Sequence, residues 1–171
     1  AMLGVARQVP GAKDDGGNLT RVYYDMGNAI TLLSKRIPMA ATEIAALVEA
    51  GARMGIKGQQ NLLAFAEATA AASAAFEIPA DVIGDGMAKV ANNYKIPIAN
   101  IRELGDTLNW LDDNTQAKGA DIIQVLQNMS DVSEKMSYRQ AAALGSTFLH
   151  LGSAPDVAAT AAKAMVGELA T

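Results

Sequence analysis

The sequence predicts an all-α fold: a compact multi-helix domain of seven or eight short helices joined by tight turns. Three observations carry that expectation. Apolar residues recur every three or four positions, the period of one helix face, and strand-type alternation is absent. Helix-start signals punctuate the chain at Ile56-Lys57-Gly58, Ile78-Pro79-Ala80-Asp81, Ile96-Pro97-Ile98, Met136-Ser137-Tyr138 and Ser153-Ala154-Pro155-Asp156. Proline is tolerated in a helix's first turn because its missing N–H would be an orphan there anyway. Alanine, the best helix former, is the commonest residue.

The elements follow in order. Residues 1–17 hold Pro10, Gly11, Lys13, Asp14, Asp15, Gly16 and Gly17, which predicts a flexible N-terminal linker. Ala1 before Met2 reads as the scar of a cleaved tag, and the stop at Ala170-Thr171 as the cut edge of a longer protein. Residues 18–171 are expected to form a single helical domain. Asn18 is the expected N-cap of a first helix whose stripe is Leu19, Val22, Tyr23, Met26, Ile30, Leu33 and Ile37, with Lys35 and Arg36 at the negative end of its dipole. Pro38 breaks it.

The second helix buries Ile44, Leu47, Val48 and Gly51, and the third Leu62, Phe65, Thr69, Ala72 and Phe76. The fourth runs from Pro79 with Ile83, Met87 and Val90 inward. The fifth starts at Pro97 and buries Ile98, Ile101, Leu104, Leu108 and Leu111. The sixth carries Ile122, Leu126, Met129 and Val132. The seventh is capped by Ser137 with Gln140 in a capping box and carries Leu144, Phe148 and Leu151. The eighth carries Val157, Ala161, Met165 and Leu169. Ile56, Ile78 and Ile96 look like a repeat, but no solenoid motif matches them, so the likeness reads as shared turn chemistry.

Gly51, Gly84, Gly86, Gly105 and Gly145 lie inside these helical stretches. Each costs about 1 kcal/mol relative to alanine, and close helix crossing is the expected compensation. Gly105 and Gly145, each after a core leucine, are expected to be packing glycines.

Composition excludes several classes. A net charge of -4 gives no basic footprint, so direct nucleic-acid binding is not expected. With no cysteine there is no disulfide framework, thiolate nucleophile or zinc–cysteine site. The most apolar stretch, Leu62 to Phe76, is broken by Glu67, Thr69 and Ser73, and no segment reaches the roughly 18 apolar residues of a membrane span. His150 is the only histidine, and nothing completes a catalytic or metal constellation around it. Asp112-Asp113 reads as a polar turn in which Asp113 or Asn114 caps, not a calcium loop, since the spaced oxygen ligands are missing. Asp81 and Asp85, and Glu134 with Lys135, read as solvated faces. Met26, Met87, Met129 and Met165 sit in apolar stripes and read as core filler. No catalytic, cofactor-binding or metal residue is expected, and the chain is not expected to be an enzyme.

The order and spacing of several stretches resemble the core region of phage tail tape measure proteins, over about residues 38–170. They are Ala50-Gly51-Ala52-Arg53-Met54-Gly55-Ile56, then Leu63-Ala64-Phe65 and Ala88-Lys89-Val90-Ala91-Asn92. Leu104-Gly105-Asp106-Thr107-Leu108-Asn109, Asp113-Asn114-Thr115 and Ala143-Leu144-Gly145 follow, and then Leu151-Gly152-Ser153-Ala154-Pro155-Asp156-Val157-Ala158-Ala159-Thr160 and Leu169. The first 37 residues do not carry it. The resemblance implies a structural virion protein of the tail lumen, present in the host cytoplasm during assembly. It implies roles in tail length, tail assembly and DNA ejection. The implied partners are tail tube, assembly chaperone and tail-tip proteins, with self-association in the full-length chain. The alternative is a helical protein-binding module unrelated to phage tails.

Overall fold

The computed structural model describes residues 2–169. Among them the α-helices are α1 (Met2–Gln8), α2 (Arg21–Arg36), α3 (Ala41–Arg53), α4 (Gln59–Phe76), α5 (Ala80–Asn93), α6 (Ile101–Asn114), α7 (Gly119–Asn128), α8 (Tyr138–His150) and α9 (Pro155–Leu169). Single 3-10 turns at Ile98–Asn100 and Ser130–Val132 lead into α6 and out of α7. Ala1, the expected tag scar, and Ala170-Thr171 lie outside the described residues.

Helices α2–α9 fall where eight are expected; α1 is additional, so the described residues hold nine. The linker expected over residues 1–17 is replaced by structure because its few apolar side chains are spaced to reach the core. Val5, Ala6, Val9 and Ala12 are buried, and α1 lies against α3. The Gly/Pro/Asp-rich stretch after it is a tied turn. Asp14 accepts the backbone N–H of Asn18 at 2.8 Å, Thr20 N–H donates to Ala12 O at 3.0 Å, and the Thr20 hydroxyl donates to Gly11 O. The hydrogen bonds from Asn18, its backbone N–H contributing most, hold the carboxyl of Asp14 below its ordinary range. Asn18 therefore closes this turn and does not cap α2, whose N-cap is Thr20.

Shared turn chemistry explains the three isoleucines. α3, α4, α5 and α8 each end in a left-handed residue, respectively Gly55 (φ 92°), Glu77 (φ 55°), Lys95 (φ 52°) and Gly152 (φ 93°). The next N–H then reaches back five residues: Ile56 to Gly51 O, Ile78 to Ser73 O, Ile96 to Ala91 O and Ser153 to Phe148 O. This is the Schellman arrangement, in which an apolar residue after the left-handed position packs back on the helix. Ile56 and Ile96 are buried and Ile78 packs on the core. After α3, α4 and α8 the next helix begins two or three residues later, with Gly58 or Pro79 at the N-cap or Pro155 at the first position, while after α5 the 3-10 turn Ile98–Asn100 precedes α6. The capping box of α8 forms as expected: Gln140 N–H donates to Ser137 Oγ at 3.2 Å and Ser137 N–H to Gln140 Oε1 at 3.0 Å.

Two hubs organise the packing. α3 lies against α1, α2, α4 and α5; α7 lies against α5, α6, α8 and α9. α5 joins them through two glycines on opposite sides. A Cβ at Gly84 would stand 3.0 Å from Leu47 Cδ2 of α3, and one at Gly86 3.0 Å from Ile123 Cγ2 of α7. One continuous core runs from Val5 to Ala162, with Phe65, Met26, Ile44, Leu62, Met87, Leu104 and Leu108 fully enclosed. Each such side chain contributes about 1.5–3 kcal/mol of burial. The accessible surface is 9027 Å², against about 8000 Å² for a close-packed monomer of this mass. The excess fits a two-hub body with open grooves.

Two stripes lie rotated from their expected faces. In α8 the buried residues are Tyr138, Ala141, Ala142, Gly145, Ser146 and Leu149, while Leu144 and Phe148 are half-buried and Leu151 is exposed. In α9 they are Ala158, Ala159, Ala162 and Val166, and Val157, Met165 and Leu169 face solvent. The reason is close approach: α8 and α9 pack mainly through alanine and glycine, against the isoleucines, valine and leucine of α7, which leaves their own bulkier residues outside. Met165 is thus not core filler, whereas Met26, Met87 and Met129 are.

Candidate functional site

The polar residues singled out in the sequence are not gathered together. His150 ends α8, exposed, and its Nδ1 accepts the N–H of Gln116 at 3.1 Å, tying the α6–α7 turn to α8. Asp112 caps α7 by accepting the N–H of Gly119 at 2.6 Å. The capping role expected of Asp113 or Asn114 falls to this neighbour because α6 continues to Asn114. Asp113 accepts from Asn109 Nδ2, and Asn114 donates to Trp110 O. Asp85 pairs with Arg53 at 3.0 Å, linking α5 to α3. Glu134 and Lys135 are exposed in the turn before α8. Among the described residues no group of three or more His, Cys, Asp or Glu is placed to hold a metal ion, and no helix is long and apolar enough to cross a membrane.

One tyrosine is strongly perturbed. Tyr94 donates its hydroxyl to Leu126 O at 2.9 Å, bridging the end of α5 to α7. Burial, helped by the nearby Asp131 carboxylate, pushes its pKa up to about 12.

What the surface offers is grooves. One of about 480 Å³ lies under the ends of α3 and α5, between Met54, Ile56, Asn61, Ala91, Lys95 and Ile98. A second of about 440 Å³ runs between α4 and α6 over Ala64, Ala68, Ala71, Ala75, Phe76 and Gly105. α4 is alanine-rich even on its outward side, where Ala64, Ala71, Ala74 and Ala75 are exposed. A third of about 490 Å³ lies between α6 and α8, lined by Thr107, Trp110, Leu111 and Ala143 and edged by Glu103, Asp106 and Arg139. Arg139 pairs with Glu103 across it at 2.8 Å. Trp110, 62% exposed, is the largest aromatic at the surface. Its position was readable: it lies off the Ile101–Leu104–Leu108–Leu111 stripe, so α6 had to turn it outward.

The grooves are open, and His150, Asp112, Asp113, Asn114 and Asp85 each serve a turn, a cap or a surface pair. The phage-related minor tail protein family matches residues 27–171. That match begins inside α2, earlier than the resemblance expected from about residue 38. A protein of Halomonas phage phiHAP-1 described as "Probable tape measure protein" is 30% identical over 131 residues, 71% of this chain and 15% of its own length. The chain thus spans only a small part of that relative. No solved structure matches. With most of its length matched, from α2 through α9, this all-helical chain belongs to the phage-related minor tail protein family.

Proposed function

We propose that this chain is a folded head on a longer tape measure protein, a structural part of the tail and not an enzyme. It contacts tail tube, assembly chaperone and tail-tip proteins, sits in the tail lumen of the virion, and is present in the host cytoplasm during assembly. Through those contacts it acts in tail length determination, assembly and DNA ejection, without binding nucleic acid itself. The full-length chain self-associates.

The observation that carries this reading is the conjunction of family membership with the turn chemistry. A ruler made of continuous helix would span about 260 Å over this many residues. The four Schellman ends and the buried glycine contacts instead specify a body about 40 Å across. A domain so built offers surface to partners and adds little length. The alternative, a helical binding module unrelated to tails, draws its support from the grooves alone.

Cross-linking and mass spectrometry of purified tails test the proposal. Peptides from residues 2–169 should be recovered from intact tails, cross-linked to tube or tip subunits. Their absence from purified tails, or neighbouring genes that encode no tail components, would overturn it.

A further inference from the structure

We infer that the groove between α6 and α8 docks a basic amphipathic helix of a partner protein, with Trp110 as the anchor. The inference stands on the groove itself and does not depend on the tail-assembly reading.

Three features converge there. First, the chain's only tryptophan lies largely in solvent beside a concave surface whose floor is Leu111 and Ala143. Tryptophan is among the residue types enriched at the few positions that dominate binding energy in protein interfaces.

Second, the charge along α6 here is mainly negative. Glu103, Asp106, Trp110 and Asp113 recur at i, i+3, i+7 and i+10, which places the indole in a row of carboxylates along one stripe of α6. Arg139 offsets Glu103 only. Asp113 accepts a neutral amide hydrogen from Asn109 and keeps its charge uncompensated. Asp106 has no hydrogen bond or ion pair among the described residues. Arg102, four residues before Asp106, is the nearest cation on α6; it and Asp106 both line the groove against α4, and no ion pair joins them.

Third, the walls are two helices with an open trough between them, the geometry into which a third helix lays its apolar face. A partner helix with leucine-like residues on one side and lysine or arginine along its edge satisfies all three features. Its apolar residues cover Leu111 and Ala143. One cation stacks on the indole, the strongest aromatic partner for a positive charge. Others meet Asp106 and Asp113. An acidic helix would instead place like charges against that row, which electrostatic complementarity disfavours.

The single tryptophan makes the test direct, because its fluorescence reports this groove alone. Two synthetic helical peptides are titrated into the purified protein; they share one leucine face, and the first carries lysine and the second glutamate along the edge. The lysine peptide should shift Trp110 emission to the blue. Its affinity should fall as salt is raised from about 50 to about 300 mM, as for solvent-edge charge pairs. Asp106→Asn with Asp113→Asn should weaken it about tenfold, the size of one good interaction. Labelled-peptide anisotropy with Trp110→Ala should show loss of about a hundredfold, a hot-spot effect. Circular dichroism is measured on each variant, and an exposed side chain should leave it unchanged. No emission shift with the lysine peptide, equal binding of the glutamate peptide, or unchanged affinity in Trp110→Ala with its helix content intact would each overturn the inference.

Discussion

At Gly145, α8 crosses α7 so closely that a Cβ would penetrate the shell of Val125 Cγ1; at Gly105, α6 leaves a groove in which a Cβ would meet only Met87 Cε, at 3.9 Å. Both glycines follow a core or near-core leucine and both interrupt helical stretches. The first is where the fold gives up helix propensity for contact. The second gives it up with no contact in return. Gly51, Gly84 and Gly86 side with Gly145: Phe65, Leu47 and Ile123 respectively stand within 3.0 Å of the added carbon. Gly105 is the correction to the expectation that all five are packing glycines. Helices thus cross closely around α7 and α3, and the surface is left open along α6.

The largest effect that would break this contrast is predicted at the crossing. Gly145→Leu should overpack α8 against Val125 and cost about 3 kcal/mol or more, whereas Gly105→Leu should be tolerated. Urea midpoints of the two variants measure it; similar losses in both would erase the distinction. A sharper version uses the partner residue. Gly145→Ala should cost about 1–3 kcal/mol alone, and Val125→Ala in the same chain should recover part of that loss through a favourable coupling. Additive losses in the double-mutant cycle would mean that the crossing is not limited by this pair.

How much of this was legible depends on what sequence can encode. Periodicity, prolines and the capping box at Ser137 mark eight helices because those signals are local. Whether Gly105 or Gly145 meets a neighbour depends on the distance between helices, which no local pattern carries. The rotated faces of α8 and α9 have the same cause. Where backbones approach closely the buried residues are alanines, such as Ala141, Ala142, Ala158 and Ala162, so choosing the bulkier stripe picks the wrong side. α1 was hidden because it is short and precedes Pro10-Gly11, although Val5 and the Val9 just past its end are helically spaced. Trp110 was legible as an outward residue from the register of α6. The groove beside it needed the position of α8.

A smaller effect lies at the α5–α7 bridge. Tyr94→Phe removes the hydrogen bond to Leu126 O and should cost about 1 kcal/mol at neutral pH. The sign with pH follows from the raised pKa. The unfolded tyrosine ionises near 10 and the folded one near 12, so stability is intact below pH 10 and falls as pH rises toward 12. The phenylalanine variant should lose this component of the alkaline decline. Thermal melts between those values read it, and parallel decline in both proteins would contradict the assignment.

The smallest effects are gains. Gly105→Ala should stabilise by up to about 1 kcal/mol, since propensity improves and nothing obstructs the methyl. Glu77→Gly and Lys95→Gly should each relieve a left-handed residue and gain up to about 1 kcal/mol. A loss at Gly105→Ala would show that the groove is already occupied by something the alanine disturbs.

A segment that works as a folded head does more in the tail than add length. Tail length in phage whose tape measure gene lacks residues 38–170 tests it most directly, by electron microscopy with a parallel infectivity count. Failed tail assembly, or particles unable to deliver DNA, is the expected result. Infectious particles whose tails are shorter by about 200 Å, the helical length of the deleted stretch, would contradict it.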